Sequence, residues 1–193
     1  MKVLMINGSR HEKGCTYTAL SYVGEGLAES GVESEIVHVD KRILTGEVND
    51  LVREIGEAGA TCDGLVLGSP VYYAGPSGEI CTLLDRLFTI YGDAFRFKPG
   101  ASVTSARRAG TTATLDRLNK YLEYVEMPLV SSCYWPMVHG QKPEDVIQDE
   151  EGIHVMRRLG RNMAWILKSI EAGRAAGVEQ PVKLDKPATN FIR

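Results

Sequence analysis

Three short stretches gather the residues able to hold a ligand. Residues 7–18 read Asn-Gly-Ser-Arg-His-Glu-Lys-Gly-Cys-Thr-Tyr-Thr, where glycines permit a tight backbone and Ser9, Thr16 and Thr18 supply hydroxyls. A loop of this kind opening a helix suits an anion, because the first N–H groups of a helix lack partners and carry partial positive charge. The same residues also describe a plain capped loop, since Ser and Thr are common at helix starts. Residues 68–78, Gly-Ser-Pro-Val-Tyr-Tyr-Ala-Gly-Pro-Ser-Gly, set two tyrosines on a glycine-rich turn. Their flat faces suit either a planar heterocycle or a subunit interface. Residues 105–112, Ser-Ala-Arg-Arg-Ala-Gly-Thr-Thr, place hydroxyls beside Arg107 and Arg108, which suit an electron-rich ring edge, the phosphate of an incoming nucleotide, or solvent. The first stretch ends in no Gly-Lys-Ser/Thr and contains no Gly-x-Gly-x-x-Gly, which argues against a nucleoside triphosphate or a dinucleotide turn.

These stretches follow the elements that must position them. Apolar runs at 2–6, 35–39, 64–68, about 101–104 and about 128–133 read as strands. They alternate with helical patterns at 16–29, 48–60, about 77–91, about 112–123 and about 150–173. The alternation predicts an α/β fold, a doubly wound five-stranded parallel sheet with helices on both faces, and with strand order 2-1-3-4-5 strands 1, 3 and 4 are neighbours. In such a sheet ligands bind outside the carboxyl ends of the strands where strand order reverses, so the loops after strands 1, 3 and 4 converge on one crevice.

A chain of 193 residues is one domain by size and needs no disulfide or metal to support its core. Its net charge of −3 gives no general attraction to nucleic acid or anionic lipid. Cys15, Cys62, Cys81 and Cys133 form no Cys-x-x-Cys pair, so spacing indicates neither zinc nor a short redox pair; reduced thiols point to the cytoplasm. The apolar run at 2–6 is too short for a leader, and none reaches membrane-spanning length. Residues 178–193 carry Pro181 and Pro187 and lose periodicity, reading as an extended tail after a domain of residues 1–177. No Gly-x-Ser-x-Gly elbow occurs, which disfavours a hydrolase. His38 falls on the second strand and reads as structural, while His139 reaches the crevice only if residues 135–140 fold over it.

Asn7-Gly8-Ser9 with Gly14-Cys15-Thr16, Gly68-Ser69-Pro70-Val71-Tyr72-Tyr73 and Trp135-Pro136-Met137-Val138-His139-Gly140 resemble the flavodoxin-like NADPH-dependent FMN reductase family, and within it the flavin proteins related to iron-sulfur flavoproteins. The resemblance implies a flavodoxin-like sheet binding FMN without a covalent bond. It assigns the phosphate to Ser9, His11, Cys15 and Thr16, with Gly14 in the same loop. It assigns the ring to Pro70, Val71, Tyr72 and Tyr73, and the far edge of the ring to Ser105, Arg107 and Gly110. NADPH or NADH would pass hydride through the flavin to a quinone, free flavin, nitro- or azo-compound, with no side chain required as acid or base. It further implies a homodimer or homotetramer. His11 and Cys15 stand where the family often has Arg and Asn. Residues 40–47 lack the compact cysteine cluster of the iron-sulfur members, so no cluster or other metal is expected. A flavodoxin-type electron carrier and a non-catalytic binding protein are the alternatives.

Overall fold

Residues Val3 to Asn7 are all buried, the pattern of a strand covered on both faces. Alternation divides them: Leu4 and Ile6 belong to one apolar cluster, Val3 and Met5 to the other. The computed structural model describes residues 1–184, 187, 189 and 191. In it β1 (Lys2–Asn7) lies between β2 (Glu33–His38) and β3 (Gly64–Tyr72), parallel to both. β3 continues to β5 (Gly100–Ala106), and β5 to β6 (Met137–His139), again in parallel. A two-residue strand, β4 (Gly75–Pro76), pairs antiparallel with the end of β3. The main path is therefore β2-β1-β3-β5-β6, the expected 2-1-3-4-5 order once β4 is set aside.

α2 (Val48–Thr61), α3 (Gly78–Phe95) and α4 (Thr111–Tyr124) cover one face, burying Ile55, Leu83, Leu87 and Leu118 with Leu65 and Leu67. α1 (Cys15–Ala28) and α6 (Glu150–Ala175) cover the other, where Leu20, Val23, Leu159 and Met163 meet Val66 and Val103. Gly26 and Gly160 let α1 and α6 touch backbone to backbone: a methyl at either would strike the carbonyl of Arg157 or of Val23. A short helix, α5 (Pro143–Val146), follows β6, and a 3-10 turn (Lys41–Leu44) follows β2. Among the described residues no helix is long and apolar enough to cross a membrane. Residues 178–184 form no helix or strand, and Lys183 Nζ pairs with Asp93 at 2.6 Å.

Two strands differ from expectation. Residues 128–133 are not the fifth strand: Leu129 forms a single parallel bridge with Gly100, and Val130 N–H donates to the Gly100 carbonyl at 2.8 Å. The chain then leaves the sheet, exposes Tyr134 and Trp135, and returns as Met137–His139 against residues 104–106 of β5. The apolar run is real, since Met127 and Val130 are buried, but it fills core without building a ladder. β3 is also longer than 64–68. It runs to Tyr72, with Pro70 opposite Ser105, after its pairing with β1 has ended at Gly68. One side of the strand is free there, the place where a sheet tolerates proline.

Candidate functional site

The site begins with Asn7, the fully buried last residue of β1. Its Oδ1 accepts from Ser9 N–H at 3.1 Å, and its Nδ2 donates to the Glu12 carbonyl at 2.8 Å, curling residues 8–14 back on themselves. Ser9 Oγ accepts from His11 N–H at 3.1 Å, and Gly14 N–H donates to the His11 carbonyl at 3.2 Å. Protein groups take the loop's carbonyls from outside. Ser77 Oγ donates to the Gly8 carbonyl at 2.6 Å, and His38 Nε2 donates to the Ser9 carbonyl at 2.7 Å. His38 is thus structural, and its work is to hold this loop. Gly14 is the N-cap of α1 and brings no side chain to the first N–H groups of the helix. They remain available to an anion.

A line of hydroxyls fastens the neighbouring strand ends. Thr16 Oγ1 and Ser105 Oγ, both buried, are 2.9 Å apart. Thr104 Oγ1 donates to the Ser69 carbonyl at 3.0 Å, and Ser69 Oγ accepts from Ser77 N–H at 3.0 Å. Above them the chain turns through Tyr73 and Ala74, both at positive φ (50° and 59°), in the two-residue hairpin joining β3 to β4. Turns with two positive φ values usually use Asn or Gly, so this one is strained. Gly110, at φ 100° and capping α4, makes room for it. A methyl on Gly110 would sit 2.8 Å from Ala74 Cα.

These loops enclose a cavity of about 490 Å³. Ser9, His11, Gly14, Cys15 and Thr16 line it on one side, Pro70, Val71 and Tyr72 on another, and Ser105 and Arg107 on a third. Tyr73 and Gly110 do not line it: Tyr73 projects fully into solvent, and Gly110 packs behind the hairpin. Lys13, Ala106 and residues 140–143 join the lining. The last group follows β6, so the rule of strand carboxyl ends would have found it with the fifth strand at 137–139. His139 itself is exposed and outside the lining, its N–H donating to Asp149 Oδ2 at 2.7 Å.

Electrostatically the lining is one-sided. Lys13, Arg107 and Lys142 contribute cations, and among the described residues no Asp or Glu lines it. Cys15 Sγ lies 3.7 Å from the Gly140 carbonyl, and burial pushes its thiol pKa up, so it stays protonated at neutral pH. The lining matches a ligand with a dianionic head and a flat body: uncapped amides, hydroxyls and cations for the first, Pro70 and Tyr72 for the second. Its volume is that of an ordinary small-molecule pocket.

Residues 1–142 match the model of the NADPH-dependent FMN reductase family. The chain belongs to that family. This FMN reductase relative is a flavin oxidoreductase, and FMN is the cofactor its membership assigns, with NADPH the co-substrate in the family's name. An iron-sulfur flavoprotein of Methanocaldococcus jannaschii is 27% identical over 197 residues, covering 89% of this chain and 100% of its own. Another from Archaeoglobus fulgidus is 28% identical, covering 79% and 83%. Among solved structures, the NAD(P)H:quinone oxidoreductase from Methanothermobacter marburgensis superposes with TM-score 0.64 at 19% identity, covering 84% of this chain and 96% of that one. A flavodoxin, WrbA-like protein from Agrobacterium tumefaciens gives 0.67 at 17%, covering 87% and 97%. These two likenesses concern the fold.

An iron-sulfur cluster, named in those relatives, does not fit the residues here. Such clusters are held by several thiolates together. Cys15 opens α1, Cys62 ends α2, Cys81 lies in α3 and Cys133 in the loop before β6. Among the described residues no three His, Cys, Asp or Glu side chains converge as a metal site.

Proposed function

We propose that the protein passes hydride from NADPH or NADH, through bound FMN, to a small acceptor such as a quinone, free flavin, nitro- or azo-compound. The observation that carries this reading is the uncapped N-terminus of α1 facing a carboxylate-free cavity walled by Tyr72. FMN, when bound, supplies the ring that accepts hydride and releases two electrons and a proton to the acceptor. Ser9, His11, Gly14, Cys15 and Thr16 bind its phosphate through hydroxyl and backbone N–H groups, helped by Lys13. Pro70, Val71 and Tyr72 orient the ring, and Ser105 and Arg107 meet its edge. No side chain takes a proton in hydride transfer, so none is assigned as acid or base.

An electron carrier docks partners through acidic surface near its flavin. The cationic lining here supports a reductase instead. Tyr73, Tyr134 and Trp135 are large and exposed, which supports a homodimer or homotetramer whose second subunit covers them. In this reading residues 1–177 are the flavin-binding domain and the segment from 178 its tail, of which residues 185, 186, 188, 190, 192 and 193 lie outside the described residues. The test is a visible spectrum of the protein after FMN is added and excess removed, followed by NADPH without oxygen. Retained flavin that bleaches within the enzyme's turnover supports the proposal. Flavin that bleaches only with dithionite supports a carrier, and no retained flavin overturns the cofactor site.

A further inference from the structure

Arg10 and Glu79 are absent from the cavity lining, yet they connect two of its walls. Glu79 sits in the first turn of α3 and is 5% exposed, a burial that carboxylates rarely accept. Its Oε1 accepts from Arg10 Nε at 2.6 Å, and its Oε2 is buried with no hydrogen-bond partner. The position at a helix N-terminus eases the charge, but the arginine is its one ionic partner among the described residues. Arg10 lies between Ser9 and His11, two cavity residues, and holds its guanidinium 5.6 Å from the centre of the Tyr72 ring. Tyr72 is the aromatic wall of the cavity and the last residue before the strained turn at Tyr73 and Ala74.

We propose that Arg10, anchored by Glu79, is a positioning residue that fixes the Tyr72 ring against the flavin. Releasing Arg10, its one ionic partner among the described residues, would leave the buried carboxylate unpaired at a large cost, so Arg10 is tethered through Nε although most of its side chain faces solvent. A fixed guanidinium under a tyrosine face restrains that ring through cation–π attraction. The hairpin beyond it is strained and would otherwise relax, carrying Tyr72 with it. The loop that receives the phosphate and the strand that receives the ring are thereby set relative to each other by one ion pair. This inference rests on the proposed binding of FMN in the cavity.

The pair's contribution to the fold and to the ring can be separated. Arg10→Ala leaves Glu79 buried and unpaired, so it lowers stability as well as loosening Tyr72. Glu79→Leu removes the buried charge with an apolar residue of similar size, which is neutral or stabilising in comparable sites. It nevertheless frees Arg10. The double variant Arg10→Ala/Glu79→Leu keeps the fold and lacks the latch. The readout is the fluorescence of bound FMN, which a stacked tyrosine quenches, together with FMN affinity.

Both Glu79→Leu and the double variant are expected to raise bound-flavin fluorescence and weaken FMN about fivefold, within the range of one cation–π contact, with melting temperature unchanged or higher. In a Tyr72→Leu background the same changes should have no further effect, since residues acting through one another are non-additive. Unchanged fluorescence and affinity in the double variant, with wild type still binding FMN, would overturn the latch alone. Failure of wild type to retain FMN would instead overturn the proposed cofactor site, and the latch with it.

Discussion

Two cavities among the described residues lie at opposite ends of the same sheet. The larger, about 1090 Å³, lies at the amino ends of β1, β3 and β5, between α6 and residues 177–181. It is lined by Phe97, Trp165 and Ile170 among apolar groups, with acids (Asp63, Asp93, Glu171, Glu179) and bases (Arg96, Lys98, Arg174) mixed together. The smaller, at the carboxyl ends, has cations and, among the described residues, no carboxylates, and a helix N-terminus directed into it. Size therefore does not select the site. Parallel strands bring helix starts to their carboxyl ends and helix finishes to their amino ends, so anion-binding amides collect at one end only. At the other end Lys98 Nζ donates to the Gly59 and Ala60 carbonyls at the close of α2, as a cation at that pole should.

Charge reversal gives the largest effect. Lys13→Glu/Lys142→Glu should weaken FMN about a hundredfold while leaving riboflavin, which lacks the phosphate, nearly unaffected. Arg174→Glu in the other cavity should change neither, as isothermal titration would show. An equal loss for both flavins would mean that the phosphate does not sit at this end.

Backbone strain comes next, and again the two ends differ. Gly110 and Gly177 both adopt positive φ, at 100° and 85°, but a methyl would strike the hairpin at Gly110 and meet nothing at Gly177. Gly110→Ala should cost about 2–3 kcal/mol in urea unfolding, from strain plus overpacking, against about 1 kcal/mol for Gly177→Ala. Similar costs would show that the hairpin yields freely.

A smaller effect is expected from salt. Raising ionic strength from about 0.05 to 0.5 M should weaken FMN several-fold and riboflavin hardly at all, because screening acts on the phosphate. The smallest is a pH slope. Burial raises the thiol pKa values of Cys15, Cys62 and Cys81 above 9.0. Raised folded values mean the native state holds these protons more tightly, so their contribution is complete below the ordinary thiol pKa and is lost as pH climbs through the raised values. Melting temperature should drop from pH 8 to pH 11, and Cys→Ser at the three positions should flatten that part of the drop.

Local pattern was sufficient for the first four strands of the main sheet and the five long helices, because buried parallel strands such as residues 3–6 and 65–67 leave continuous apolar runs in the chain. The crevice rule also selected the three loops that hold ten of the cavity residues, while His11, Cys15, Pro70 and Val71 within them were singled out by the family resemblance and not by pattern. The three-residue β6 was illegible: Met137, Val138 and His139 show no period, and the stronger apolar signal at 127–130 belongs to packing beside Gly100. Residues 140–143 were lost with it.

The amino-acid order by itself determined the alternation of the first four strands with their helices and the end of the sheet at which an anion can bind, because these depend on periodicity and on where helices begin. Tertiary structure alone decided that Tyr72 faces the cavity while Tyr73 faces solvent, and that Arg10 reaches Glu79, 69 residues away. A two-residue turn and a buried ion pair depend on register and distance between remote segments, and no local pattern encodes either.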